Sequence, residues 1–218
     1  MLADGTLLSI CGMGGAAAAL GARNLIEAGA AALVSWGMAG GLDPALIAGR
    51  IILPGEVAAI DGAPIPTSRP WREQVSAALS PYHPLTGGKL LTSPRAIVTA
   101  AAKAALFRET GAAAVDMESL SVAEVARARA APFLAIRVIV DRAADTLPSA
   151  VGQAADANGQ LQVGRLIARM LRSPGQLPSL LRLSQRYQAA SRSLAVVADS
   201  ARQALRSPDG GSSGASLS

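Results

Sequence analysis

The chain predicts a single α/β domain, a mixed central sheet flanked by helices, with a basic helical extension at its C-terminal end. Three observations carry that reading. Phe133 to Val140 (FLAIRVIV) is apolar on both faces apart from Arg137, as a strand buried between two layers should be. Two apolar runs end in glycine clusters, GMGG at Gly12 to Gly15 and GMAGG at Gly37 to Gly41. Ala-rich segments lie between the apolar runs, one of them with Leu120, Val122, Ala123 and Ala126 at helical spacing.

In chain order, Thr6 to Cys11 predicts a strand, and the glycine turn after it opens a helix from about Ala16 to Ala28 that Gly29 stops. A strand, glycine turn and helix in this order can aim backbone N–H groups at an anion. Gly12, Gly14 and Gly15 are therefore weak phosphate-binding candidates, although such turns are often only tight connections. Ala32 to Trp36 predicts a second buried strand, whose GMAGG end lets the backbone approach a ligand closely. Arg50 to Ile60 predicts a longer strand, bent at Pro54 and Gly55. Loops are expected at Asp61 to Pro70 and Ser80 to Gly88, with a helix at Trp71 to Leu79 between them. The second loop holds His83, the single histidine, expected to be a surface residue. Leu90 to Ser93 predicts a short strand, and Thr99 to Thr110 a helix ended by Gly111.

The organising stretch is Ala114 to Asp145. AVDMES places Asp116 and Glu118 beside Met117, a helix follows, Pro132 breaks it, and the apolar strand then runs to Asp141. Ligands of open α/β sheets sit outside the carboxyl ends of the strands, so Glu118 and Asp141 stand where chemistry is expected. The plainer alternatives are a first-turn carboxylate favoured by the helix dipole for Glu118, and a helix cap or a partner for Arg142 for Asp141.

At 218 residues and 50% hydrophobic, the chain can bury a core without staples; aromatics are 3%, so that core is aliphatic. One cysteine, Cys11, excludes an internal disulfide framework and is expected to be a small buried thiol. Gly5 to Ala22 is uncharged but has no basic leader and is interrupted by glycines, so no signal peptide or membrane span is expected and the protein is placed in the cytoplasm. The net charge of +5 does not indicate nucleic acid, because aromatics are sparse and the excess is concentrated near the C-terminus. Leu161 to Leu171 predicts a helix, and a second amphipathic segment runs from about Ser179 to Leu205 with Leu180, Leu181, Tyr187, Leu194 and Val197 as apolar members. The arginines of this C-terminal region, including Arg165, Arg182, Arg186, Arg192 and Arg206, suit an anionic membrane surface; packing on the domain or on a partner subunit is the alternative. Ser207 to Ser218 is Gly/Ser-rich and expected to be disordered.

AVDMES with IRVIVD resembles the VEMEA and IRAISD pair of the nucleoside phosphorylase and nucleosidase superfamily. SWGMAGGLDPALIAGRIILPGEV looks like that family's TGSAGGLDPSLKVGDIVV block, and CGMGGAAAALGA is similar to its GIGKVNAA segment. The subgroup most resembled is the hopanoid-associated phosphorylase, through the Ala-rich character, SPRAIVTAAAKAAL and SPGQLPSLLRL. The resemblance implies a three-layer phosphorylase/hydrolase-like fold and cleavage of an N-ribosidic bond. It implies Asp141 as general acid at the purine, in a neutral, donating form favoured by burial, and Glu118 on the ribose hydroxyls. Met117 would pack on the sugar, Gly37, Met38, Ala39, Gly40 and Gly41 would form the substrate loop, and Ile97 would meet the purine.

The implied substrate is adenosylhopane, giving adenine and a ribosylhopane product; a soluble purine nucleoside phosphorylase, a thioadenosine-type nucleosidase and a non-catalytic nucleoside-binding protein are the alternatives. No metal or cofactor is implied, with inorganic phosphate or water as co-substrate. A homo-oligomer is expected, with peripheral contact at the inner face of the membrane through the basic tail. The chain departs from the family at Met38 and Val140, where serine is common, and Met1 aligns after the family's first strand and loop. Two exposed strand edges are the expected consequence. The expected organisation is an α/β domain over residues 1–158, a basic helical extension over 159–206 and the tail beyond.

Overall fold

The computed structural model describes residues 5–147 and, near the C-terminus, residues 188, 190, 192–195, 197–198, 200 and 204–205. Four helices and eight strands are built in the order α1 (Gly15–Glu27), β1 (Leu33–Gly41), β2 (Ile51–Ile52), β3 (Glu56–Ala58), β4 (Ile65–Pro66), α2 (Arg69–Leu79), β5 (Leu85–Thr86), β6 (Lys89–Thr92), α3 (Ala100–Thr110), β7 (Ala114–Asp116), α4 (Ser119–Ala128) and β8 (Phe133–Asp141). The strands form one sheet in the order β4-β3-β6-β7-β1-β8-β2-β5. β1 runs parallel to β8 and antiparallel to β7, so the sheet is mixed as expected.

β8 is the spine, and its alternation explains the layers. Phe133, Ala135 and Ile139 join a cluster with Ala18 and Ala22 of α1 and Val122, Ala123 and Ala126 of α4. Leu134, Ile136 and Val138 face the other way, into a cluster with Trp71, Val75 and Leu79 of α2. Both faces are therefore covered, and apolar residues are favoured at every position of the strand. Arg137 belongs by parity to the α1/α4 side, where a charged partner awaits it.

α3 is capped at both ends. Thr99 Oγ1 accepts from the Ala102 N–H at 3.2 Å, and Gly111 ends the helix with φ 63°, a left-handed conformation that favours glycine.

Several expectations need correction. Thr6 to Cys11 forms no strand; Leu8 and Ile10 are 65% and 91% exposed, and Cys11 is an exposed free thiol. An apolar run becomes a strand only where a neighbour supplies backbone partners. The expected strand from Arg50 to Ile60 is two short ones. Pro54 and Gly55 separate them, and they join different neighbours, β2 pairing with β8 and β5, and β3 with β6 and β4. The two expected loops each contain a two-residue strand, β4 and β5. His83 is half-buried, not a surface residue.

Near the C-terminus, the described residues from 188 to 200 are helical, and Ala190, Leu194, Val197, Ala204 and Leu205 pack into the α2 cluster. The indole Nε1 of Trp71 donates to the Ala204 carbonyl at 3.0 Å. Leu161 to Leu171, Leu180, Leu181, Tyr187 and Ser207 to Ser218 lie outside the described residues, as do Arg165, Arg182, Arg186 and Arg206.

Candidate active site

A cavity of about 670 Å³ runs along β1 and reaches the carboxyl ends of β1 and β8. Every residue from Leu33 to Gly40 contributes to its wall, together with Leu7 to Met13, Arg95 to Ile97, Val115 to Glu118, Arg137, Val140 and Asp141. Three carboxylates meet it, each held by a different kind of partner.

Glu118 stands at the N-cap position of α4, but its side chain does not cap that helix. Its Oε1 accepts from the Gly14 N–H at 2.8 Å and its Oε2 from the Met117 N–H at 3.3 Å. Gly14 has φ 95°, so the N–H that meets Glu118 comes from a backbone conformation open mainly to glycine. An added Cβ at Gly15 would stand 2.4 Å from Ser121 Oγ, which shows how closely α1 begins against α4. Burial pushes the Glu118 carboxyl above its ordinary value, and the neighbouring Asp116 charge adds to the rise. The Gly14 N–H and the Arg137 charge oppose it.

Asp116 forms a buried ion pair with Arg137, whose Nε lies 2.8 Å from Oδ2. Arg137 Nη2 donates to Ser35 Oγ at 2.7 Å, and Thr92 Oγ1 donates to Asp116 Oδ1 at 2.7 Å. The Ser119 N–H meets both Asp116 oxygens, at 3.3 and 3.2 Å, so Asp116 satisfies the start of α4. This network joins β1, β6, β7, α4 and β8 along the cavity wall.

Asp141 closes β8. The β1–β8 register shifts between Ala39 and Gly40, bringing Gly40 opposite Asp141. An added Cβ at Gly40 would lie 3.4 Å from both Asp141 carboxylate oxygens, in van der Waals contact with them. The Asp141 carboxylate is paired with the ammonium of Lys103, whose residue is 0% exposed on α3. Lys103 Nζ also donates to the carbonyls of Arg142 and Asp145, each at 3.0 Å. The carboxyl expected to donate to the base thus stands against a buried cation, Lys103.

Of the sequence-expected site residues, Asp141, Glu118, Met117, Gly37, Met38, Ala39, Gly40, Ile97 and Gly12 line this one cavity. Gly14, Gly15 and Gly41 are not on its wall; Gly14 instead presents its N–H to Glu118. Lys103 was not foreseen, and Arg137 and Asp116 were noted without a role. Lys103 did leave a trace, since it lies three residues before buried Leu106 and so shares the inward face of α3. Among the described residues, no group of three or more His, Cys, Asp or Glu is placed to hold a metal ion.

Residues 4–172 match the model of the phosphorylase superfamily. Comparison with the curated proteins gave no match. Among solved structures, the chain is similar to the 5′-methylthioadenosine/S-adenosylhomocysteine nucleosidase of Neisseria meningitidis in complex with methylthio-immucillin-A. The TM-score is 0.68 at 17% identity, over 90% of this chain and 80% of that one. It is also similar to futalosine hydrolase of Helicobacter pylori, with TM-score 0.60 at 18% identity over 86% and 77% of the two chains. The corresponding nucleosidase of Campylobacter jejuni gives 0.58 at 24% identity over 62% of this chain, which spans 66% of that protein's length. The motif blocks, the mixed sheet and the family match agree: this chain belongs to the phosphorylase superfamily and is an enzyme of the nucleoside phosphorylase/nucleosidase type.

Proposed function

We propose that this enzyme cleaves the N-ribosidic bond of an adenosine-containing substrate, and that the substrate is adenosylhopane, yielding adenine and ribosylhopane. One observation carries the cleavage: Glu118 and Asp141 reach the same cavity from the start of α4 and the end of β8. Breaking the bond between the base and the sugar leaves electrons on the purine and positive charge on the ribose. Asp141 faces the base and, as general acid, gives its proton to the ring nitrogen as the bond breaks, leaving a carboxylate beside the Lys103 ammonium. Glu118 faces the ribose hydroxyls and opposes the growing positive charge. Inorganic phosphate or water adds to the sugar.

The hopanoid substrate is supported by the subgroup resemblance and by the apolar wall of Leu7, Leu8, Ile10, Leu25 and Leu33, which suits a hydrocarbon on the ribose. Such a substrate calls for contact with a bilayer surface. The tail supplies it through arginines, of which Arg192 is exposed, and not by insertion, because Leu194 and Val197 pack against the domain. A homo-oligomer is part of this reading and is read out by sedimentation velocity.

Adenine release is measured chromatographically from adenosylhopane, methylthioadenosine and adenosine, each with and without phosphate. Release from adenosylhopane above the other two is expected. Preference for methylthioadenosine replaces the hopanoid assignment, and no release from any of them removes the enzymatic reading. Co-sedimentation with anionic vesicles that is lost as salt rises is expected for the tail, and its absence removes the membrane contact alone.

A further inference from the structure

We propose that Thr92 is a positioning residue for Glu118: by taking over the cap of α4, it frees the Glu118 carboxyl to face the cavity. Its effect on ligands rests on the reading that Glu118 meets the ribose. Glu118 occupies the N-cap position of α4, where a side-chain oxygen ordinarily accepts from the N–H two or three residues further on. The first of those donors is already engaged, because the Leu120 N–H donates to Thr92 Oγ1 at 3.0 Å. The N–H groups of Glu118 and Ser119 donate to Asp116 Oδ1 at 3.4 and 3.3 Å. The Glu118 side chain is thus relieved of capping and reaches the Gly14 N–H at 2.8 Å instead.

Register explains how one hydroxyl comes to hold this place. Thr92 and Asp116 end β6 and β7, which run parallel with these two residues paired. Thr92 Oγ1 donates to Asp116 Oδ1 at 2.7 Å, which commits its proton and leaves its lone pairs for Leu120. The position therefore needs a group that donates on one side and accepts on the other. Valine has nearly the same shape and does neither. Without the hydroxyl the Leu120 N–H loses its partner, and an unpaired donor at a sheltered helix start is costly. The Glu118 carboxyl, two residues back at the N-cap position, is an acceptor that can replace it. In doing so it would turn away from Gly14 and out of the cavity.

The test compares wild type, Thr92→Val, Thr92→Ser and Thr92→Ala as full chains, with thermal melting run beside the binding. The ligands are free adenine and formycin A, an adenosine analogue whose carbon–carbon ribosyl bond is not cleaved. Thr92→Val should weaken formycin A by about tenfold or more while adenine stays within about twofold. Thr92→Ser keeps a hydroxyl and should bind both ligands as wild type does. Thr92→Ala carries the valine expectation if Thr92→Val does not fold. Adding Thr92→Val to Glu118→Gln should bring no further loss of formycin A. Without any ligand, isotope-labelled glycine reports the Gly14 amide by NMR. Its proton should lie downfield in wild type and Thr92→Ser, as expected for a bond to a carboxylate, and lose that shift in Thr92→Val. Equal weakening of both ligands in a folded variant, a serine variant no better than valine, or a Gly14 signal indifferent to Thr92 overturns the proposal and makes Thr92 a plain helix cap. Failure of wild type to bind either ligand removes the proposed function, and the Gly14 signal then decides this proposal alone.

Discussion

Glu118 and Asp141 share a cavity but live in opposite surroundings. Glu118 is held by two neutral backbone N–H groups, and burial raises its proton affinity. Asp141 is more deeply buried, yet an ammonium stands against it. The difference teaches that depth alone does not set the state of a carboxylate; the partner does. Glu118 is left with neutral partners, whereas Asp141 faces a buried cation. Paired groups whose environments diverge in this way are how a site divides the work of one reaction.

The comparison is tested most severely at Asp141. Replacing it with Asn keeps the shape and removes the acidic proton for the leaving base, and adenine release should fall about 10²–10⁴-fold. Activity within a few-fold of wild type would take Asp141 out of the reaction. Next comes the third carboxylate, which shows what an ion pair means for the fold. Arg137→Met leaves Asp116 buried without its counter-charge and should cost roughly 3–5 kcal/mol of stability. Chemical denaturation reads this, and a loss below about 1 kcal/mol would mean that Thr92 and the Ser119 N–H suffice for Asp116.

Glu118→Gln should weaken ribosyl ligands by about 1.5–3 kcal/mol, the value of a charge-assisted hydrogen bond. Free adenine should bind as before, since it has no ribose. Equal weakening of both ligands would reassign Glu118 to folding. The smallest effect concerns pH. Because the folded protein raises the Glu118 proton affinity, this group's contribution is fully present below its ordinary value of 4.5 and is lost as pH rises through the raised value. Wild type should therefore lose stability relative to Glu118→Gln as pH rises above about 4.5, measured as the gap between thermal midpoints. A gap that does not change with pH would place the two carboxylates in the same class.

How much of this was legible beforehand depends on whether a residue's partner is near or far. β8 could be read directly, because an uninterrupted apolar run between a proline and an aspartate leaves few options. The helices α1 to α4 followed from spacing and from glycine stops. Thr6 to Cys11 has the same apolar character but forms no strand, and composition carries no record of that. Lys103 and Arg137 were opaque for the same reason. Their counter-charges lie 38 and 21 residues away, and only the fold brings them together. Gly14 looked like an anion site and faces one, but the anion is the chain's own Glu118.

The bond from the Trp71 indole to the Ala204 carbonyl has a consequence for synthesis of the chain. It joins positions 133 residues apart, so the α2 face cannot be fully covered until the chain through Ala204 has left the ribosome. Until then Trp71, Val75 and Leu79 lack the Ala190, Val197 and Ala204 side of their cluster. Late contacts of this kind slow folding and leave apolar surface open to neighbouring chains. A nascent protein stalled before Ala204 should therefore be a better chaperone client than one released beyond it, and its tryptophan emission should shift to the blue only once Ala204 has emerged.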